Sequence, residues 1–336
     1  MKKIITGIVG LGRSGWDIHI NALRRDPRYE IAAVCDSDRG RLKEAKEKLG
    51  CSCYKNYHDF IQHPGLELVI IASPTKEHFW MTKAALLGKK NVVLEKPLTP
   101  ALSEARQLKK IALNNRCILS PYYNFRFSND FIKIRSVIQK GLIGKIFLIK
   151  RQVGYFNRRD DWQSKLSSSG GILNAAAIHS VDQVIQLLGQ LPVKIWRDLQ
   201  KVVSKGDASD HAKIMLNFPD KCVADIEMSW AEALNGCDWL IYGSRGAIKM
   251  QDGTLEIKWF LEKEVKKGIP KKRSYLSGER INWHKKRYHI GEGFSGDYYN
   301  KLYTAIKYRG LPPVSLDSAI QTMAVIDKIE NLKPNR

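Results

Sequence analysis

A short apolar run, residues 4–9, stops at Gly10-Leu11-Gly12-Arg13-Ser14-Gly15, and a stretch of helical spacing begins at once. The pattern G-x-G-x-x-G recurs by chance, but between a strand and a helix it has a physical reading. Gly10 permits a tight turn, Gly12 lets the backbone approach a pyrophosphate, and Gly15 lets the helix lie close on the strand. The first helical turn then presents unpaired N–H groups and a positive dipole end to the phosphates, so Arg13 and Ser14 count with the glycines as cofactor-binding positions. Asp36 ends the next apolar run, 21 residues past Gly15, where a carboxylate can accept hydrogen bonds from an adenosine ribose. Such a carboxylate repels a 2′-phosphate and favours NAD. Arg39 and Arg41 could neutralise that phosphate, which keeps NADP open. Without a ligand, the same residues would make a glycine turn with Asp36 capping the next helix.

The first third of the chain keeps this rhythm. Apolar runs at 31–35, 66–72, 92–94 and 117–120 alternate with helical patterns. Residues 13–25 place Trp16, Ile20 and Leu23 on one predicted stripe, and 39–49 place Leu42, Ala45 and Leu49 on another, before Gly50. Residues 77–87 read as a helix closed by Gly88, and Thr99-Pro100 reads as an N-cap with proline in the first turn. Continuously apolar strands, each followed by a helix, predict a doubly wound parallel sheet covered on both faces. After Tyr122 the character changes. Helices are predicted near 131–139 and 175–188, with a long strand at 145–155 between them. Strands then follow strands at 211–218, 222–230, 239–242, 247–250 and, past the hairpin signal Asp252-Gly253, 255–260. This reads as an antiparallel meander, closed by helices at 297–307 and 316–332. Residues 1–122 are expected to form a Rossmann dinucleotide-binding domain, and 123–336 a second domain that binds substrate.

Composition narrows the function classes. The 336 residues are 43% hydrophobic, enough for ordinary buried cores, and no apolar run approaches the length of a membrane span. The start, Met1-Lys2-Lys3-Ile4-Ile5, runs into the glycine motif without the apolar core of an export signal. Six scattered cysteines then read as reduced thiols, and a cytoplasmic location is expected. Cys51 and Cys53, with His58 nearby, lack the spacing of a zinc site, so no metal is expected. The net charge of +22 attracts anions, whether a phosphorylated or nucleotide-linked substrate or nucleic acid, and equally describes a lysine-rich solvated surface. The densest stretch, 263–287, holds Lys266-Lys267, Lys271-Lys272-Arg273 and Lys285-Lys286-Arg287 but no recognisable nucleic-acid motif, so no nucleic-acid partner is expected.

Glu95-Lys96-Pro97 follows the 92–94 strand, at the carboxyl edge of the predicted parallel sheet, where ligands of open α/β sheets bind. A lysine there can hydrogen-bond a substrate hydroxyl, and Pro97 can lock the turn through a cis bond. Gly10 to Gly15, Ala72-Ser73-Pro74-Thr75 with His78, Glu95-Lys96-Pro97, and Gly170-Gly171 before His179-x-x-Asp182 occur in the order found in the Gfo/Idh/MocA family. The chain resembles that family over nearly its whole length, including Pro312-Pro313-Val314-Ser315-Leu316. The resemblance implies a Rossmann domain followed by an α/β domain with an open, mostly antiparallel sheet. It implies a nicotinamide cofactor, a sugar-like or polyol substrate, and a homodimer or homotetramer packed through that sheet. It also implies that Ser73, Pro74, Thr75, His78, Glu95 and Lys96 line the cofactor.

By the same resemblance, Lys96 and His179 are the catalytic pair. Oxidising a secondary alcohol removes a hydroxyl proton while hydride leaves the carbon. Histidine can serve as base near neutral pH, and lysine can stabilise the developing charge on oxygen. Asp182, one helical turn on, either orients the imidazole or makes a structural contact. The family commonly has Asp or Asn four residues before this histidine, where this chain has Ala175; Asn174 stands one residue earlier, and Ala177 occupies a frequent glycine position. Asn174 can replace the missing group only if the backbone is irregular there. Tyr123, Asn124 and Arg126 follow the last predicted Rossmann strand, and Arg158, Arg159, Asp161 and Trp162 precede Gly170. Of these, Tyr123, Asn124, Arg126, Arg158 and Trp162 are candidate substrate contacts, with arginine suited to a phosphate or carboxylate and Trp162 to a sugar face; each is equally well an exposed loop residue or an ion-pair partner. The leading expectation is an NAD-dependent dehydrogenase acting on a sugar, cyclitol or derivative. The alternatives are an NAD-dependent glycosidase, to which Ala175 lends some weight, and a non-catalytic NAD-binding sensor, against which Lys96 and His179 speak and for which Ala175 speaks mildly.

Overall fold

The computed structural model describes residues 2–234, 236–269, 277–291, 293–294 and 297–332, which divide into two compact units. One comprises Met1–Asn124, Ser167–Ser169 and Ser295–Asp327; the other comprises Phe125–Leu166, Gly170–Phe294 and Lys328–Arg336. Lys271-Lys272-Arg273, part of the basic stretch, lies outside the described residues. No helix among the described residues is long and apolar enough to cross a membrane.

In the first unit, β1 (Ile4–Val9), β2 (Tyr29–Cys35), β3 (Ser52–Tyr54), β4 (Leu68–Ile71), β5 (Asn91–Leu94) and β6 (Leu119–Pro121) form a parallel sheet in the order β3-β2-β1-β4-β5-β6. Every residue of β4 is buried, as a strand covered on both faces requires. The order reverses beside β1, so the glycine turn opens at the topological switch point, the position at which such sheets bind ligands. The helix after that turn is wide in its first part, a π-type segment over Ser14–Ile20, before α1 (Asn21–Arg24). The extra residue per turn alters the predicted stripe: Ile20 and Leu23 are buried, but Trp16 is only half-buried, and His19 takes the inner position. α2 (Arg39–Leu49) is capped by Asp38, which accepts from Gly40 N at 2.7 Å, and ends at Gly50 with φ +66°. The short α3 (Tyr57–Ile61), capped by Asn56, and β3 escaped the sequence pattern because neither is long enough to show a period. α4 (His78–Leu87) follows β4. α5 (Leu102–Asn114) starts two residues past the predicted proline: Thr99 Oγ1 donates to Ala101 O at 2.7 Å instead of capping, and Glu104 accepts from Ala101 N at 3.2 Å.

In the second unit, α6 (Asn129–Gln139) and α7 (Ile178–Leu188) pack on an eight-stranded sheet among the described residues. Its strands are β7 (Ile146–Gly154), β8 (Lys194–Gln200), β9 (His211–Asn217), β10 (Val223–Ser229), β11 (Trp239–Gly243), β12 (Gly246–Gln251), β13 (Thr254–Trp259) and β14 (His284–His289), in the order β14-β13-β12-β11-β7-β10-β9-β8. The sheet is mostly antiparallel but is not a simple meander, because β7 inserts between β11 and β10 and pairs with β10 in parallel. Asp252 (φ +48°) and Gly253 (φ +70°) form the tight turn between β12 and β13 that their sequence signals. The edge strands β8 and β14 carry weak alternation; His284-Lys285-Lys286-Arg287 reads as surface charge until its partner strand is known. Trp239 Nε1 donates to Asp130 of α6 at 3.0 Å, and Ser180 of α7 to Met228 Sδ at 3.3 Å, which ties the helices to one face. The chain ends in α8 (Asp297–Tyr308), in the first unit, and α9 (Leu316–Asn331).

Candidate active site

The glycine turn has the shape its sequence requires. Gly10 sits at φ +87°, and a Cβ there would lie 2.5 Å from the Ala72 carbonyl oxygen; at Gly15 it would lie 1.9 Å from Gly10 O. A Cβ on Gly12 would meet nothing within 4 Å, so the turn is open on the side where a pyrophosphate would approach. Asp36 braces this turn: one carboxylate oxygen accepts from Leu11 N at 2.7 Å, and the other from Asp38 N at 2.9 Å. Arg41 Nη1 stands 3.4 Å from Asp36, so one of the two arginines flagged beside the ribose position does reach it. The turn after β4 contributes Ser73-Pro74-Thr75, where the Ser73 hydroxyl is buried with no hydrogen-bond partner among the described residues. An open cradle, a braced carboxylate and an orphaned hydroxyl are what a dinucleotide would fill, so the residues present fit the cofactor.

Beside this cradle, β5 is followed by Glu95 and Lys96, and the Lys96–Pro97 peptide is cis. His78, at the start of α4, is buried with Nδ1 2.8 Å from Pro97 O and Nε2 2.9 Å from Ser73 O. The ring thus stands between the cofactor turn and the lysine turn, within hydrogen-bond distance of a carbonyl of each, and in the neutral form its single N–H serves one of them. Burial pushes its imidazole toward the neutral form, against the pull of the two carbonyls and of Glu95. Glu95 is buried as well. Burial opposes its ionisation, but the hydrogen bond from His19, the nearby Lys96 and the Lys96 N–H outweigh it, and its carboxyl lies below the usual range. His19 was missed in the sequence because a lone histidine interrupts an apolar stripe; its place four residues after Gly15, the residue that must face the sheet, was the available signal. Tyr123, fully buried, and Asn124, half-buried, are the last residues of the unit's first segment.

The second unit holds the remaining candidates. Leu173–Ala177 is a π-type turn running into α7, with Ile178 N–H bonded back five residues to Leu173 O. The backbone is thus irregular where Asn174 needs it to be, and five residues, the repeat of this wide turn, separate Asn174 from His179. His179 is buried, its ring 4.4 Å from that of Phe125. One turn on, Asp182 is held by Arg126 in a two-pronged pair, Nε to Oδ2 at 2.7 Å and Nη2 to Oδ1 at 2.5 Å. Gln183 Nε2 donates to Phe125 O at 2.9 Å, so residues 125–126 and the His179 helix are fastened together. Before Gly170, Arg159 pairs with Asp161 and lies over the Trp230 ring at 4.7 Å, while Arg158 and Trp162 are exposed.

A family model described as "Oxidoreductase family, NAD-binding Rossmann fold" matches residues 4–123, and a second, "GFO/IDH/MocA C-terminal domain", matches residues 131–249. The Uncharacterized oxidoreductase YdgJ of Escherichia coli K12 is 25% identical over 97% of this chain and 95% of its own length. The Myo-inositol 2-dehydrogenase of Thermotoga maritima is 30% identical over 72% of this chain and 73% of its own. Among solved structures, an NAD-binding protein from Listeria innocua superposes with a TM-score of 0.85 at 20% identity, covering 98% of this chain and 97% of that one. Two family models in chain order, on the parallel and the mostly antiparallel sheet respectively, leave one assignment: the chain belongs to the Gfo/Idh/MocA family of NAD(P)-dependent oxidoreductases.

Proposed function

We propose that the chain oxidises a secondary hydroxyl of a cyclitol, sugar or sugar derivative, with NAD as the preferred hydride acceptor. The observation that carries this reading is the lysine turn. Lys96 follows the carboxyl end of β5, the strand beside β4 in the parallel sheet, and His78 stands between its turn and the cofactor turn. Nicotinamide, when bound, takes the hydride. The protein handles the oxygen and its proton: Lys96 donates a hydrogen bond to the alcohol oxygen and stabilises the charge that develops there, and His179 accepts the hydroxyl proton. The pair of Arg126 with Asp182 holds the His179 helix, and Asn174 supplies the amide that Ala175 lacks. Two relatives support the substrate class: the Thermotoga protein, and the scyllo-inositol 2-dehydrogenase (NADP(+)) IolW of Bacillus subtilis, 28% identical over 65% of this chain. Exposed Phe147 and Trp196 on the second sheet support a homodimer or homotetramer through that sheet, which light scattering would count. The test of function is purified protein with NAD+ or NADP+ and a panel of inositols, sugars, sugar phosphates and nucleotide sugars, followed at the nicotinamide absorbance. Reduction with one class, lost in Lys96→Ala and His179→Ala, is expected. Bound cofactor with no reduction by any alcohol would refute the dehydrogenase.

A further inference from the structure

Inside the first unit, a buried hydrogen-bond chain runs from α8 to the lysine turn. Tyr299 Oη lies 2.5 Å from His19 Nδ1, and His19 Nε2 lies 3.2 Å from Glu95 Oε1. The other carboxylate oxygen, Oε2, accepts from the backbone N–H of Lys96 at 3.1 Å. We propose that His19 is a positioning residue for the proposed oxidoreduction: through Glu95 it fixes the peptide from which Lys96 departs. The inference rests on the reading of Lys96 given above, and it names residues that neither the glycine motif nor the lysine turn contains.

The direction of every bond in the chain follows from Glu95. An ionised carboxylate only accepts, so His19 Nε2 carries the hydrogen, and Nδ1 then accepts from the Tyr299 hydroxyl. With a neutral imidazole each donor meets an acceptor, and no buried cation is needed. His19 is completely buried, and its ring lies 4.4 Å from that of Tyr122. Tyr299 is set in turn by its own carbonyl, which accepts from Tyr29 Oη at 2.7 Å. Burial also raises the phenol of Tyr299 far above its ordinary range, so it remains a hydroxyl donor. The segment that delivers His19 is the wide turn that begins at Ser14, within the glycine motif. The element that cradles the pyrophosphate therefore also grips the carboxylate next to Lys96. A histidine that merely filled space would be replaceable by any side chain of similar volume; one that orients Glu95 would not.

The experiment uses the full chain with 15N-lysine, and follows hydrogen exchange of the Lys96 amide by NMR together with NAD+ affinity by calorimetry. In His19→Leu the Lys96 amide should exchange about tenfold faster, the equivalent of one lost hydrogen bond, while NAD+ affinity stays within about threefold. In His19→Gln, whose amide can donate to Glu95 and accept from Tyr299, exchange should return to within about threefold of wild type. Tyr299→Phe keeps the ring and serves if His19→Leu does not fold; exchange should rise about threefold. Unchanged exchange in His19→Leu or Tyr299→Phe, or equal acceleration in His19→Leu and His19→Gln, overturns the proposal. With a reactive alcohol in hand, His19→Leu should lower kcat about tenfold and leave KM for NAD+ in place. If the wild type oxidises no alcohol, the functional reading fails while the amide exchange still decides this one.

Discussion

Replacing Asp36 by serine should turn the cofactor preference around. The carboxylate has two separable tasks. It braces the glycine turn through Leu11 N at 2.7 Å and Asp38 N at 2.9 Å, and on the proposed reading it receives the adenosine ribose. Losing the first task weakens both dinucleotides alike, so the ratio of their affinities isolates the second. Hydrogen bonds from ribose hydroxyls to a carboxylate contribute about 1.5–3 kcal/mol, all of it on the NAD side. A 2′-phosphate about 4 Å from a carboxylate would be repelled by up to about 4 kcal/mol at an effective dielectric constant near 20, a figure that salt and Arg41 reduce to about a third. Together the preference should move by about 3 kcal/mol, roughly 150-fold toward NADP. Arg41, 3.4 Å from Asp36 and half-exposed, should account for up to about 1 kcal/mol of NADP binding, so adding Arg41→Ala to Asp36→Ser should weaken NADP+ up to about fivefold. Calorimetry with NAD+ and NADP+ at one fixed salt concentration gives the ratio. A ratio that Asp36→Ser leaves unchanged would mean that the carboxylate serves only the turn, and the argument for NAD would fall.

Gly15→Ala would set a methyl 1.9 Å from Gly10 O, so the turn must open; cofactor binding should be lost in calorimetry even where circular dichroism shows a folded protein. Asp210, fully buried, accepts backbone N–H bonds from Val202, Val203 and Ser204 at 2.7, 2.8 and 2.5 Å; Asp210→Asn should cost about 3 kcal/mol in urea unfolding at pH 7. Burial would raise its carboxyl, but those N–H groups hold it below the ordinary value. Its contribution is therefore complete above the unfolded value of about 3.9 and fades as the pH falls through the lower folded value, so wild type and Asp210→Asn should converge in melts near pH 2. Arg126→Met or Asp182→Leu alone should each cost about 3–5 kcal/mol, because each removes one side of a buried ion pair, whereas the double substitution should recover most of the loss. Additive losses in that double-mutant cycle would argue against coupling.

The parallel half of the fold was legible because its signals are local. An apolar strand, three glycines and an acidic residue about 20 positions later describe one βαβ unit, and the structure has it at the switch point. The second sheet was legible only as strands. Nothing in residues 145–155 says that β7 will leave its neighbours in sequence and lie between β11 and β10, since that pairing joins residues dozens of positions apart. The lysine turn and the His179 helix stood out because their residues come as short fixed strings. His19, Tyr299 and the grip of Arg126 on Asp182 did not, since each joins side chains from distant parts of the chain. Thr99 misled for a physical reason: a carboxylate in the first turn, that of Glu104, took the capping bond that the threonine was expected to make.

The wide turn at Leu173–Ala177 also bears on how relatives of this chain should be compared. A π-type turn is what a helix makes when it absorbs one additional residue without breaking, so positions on its N-terminal side slip by one against a regular helix. Counting back four residues from His179 returns Ala175 and marks the site as degenerate. Counting back five, the spacing of the bond from Ile178 N to Leu173 O, returns Asn174. On the reading of Asn174 proposed above, an alignment whose gap falls outside this turn sets Ala175 rather than Asn174 against the Asp or Asn common in the family.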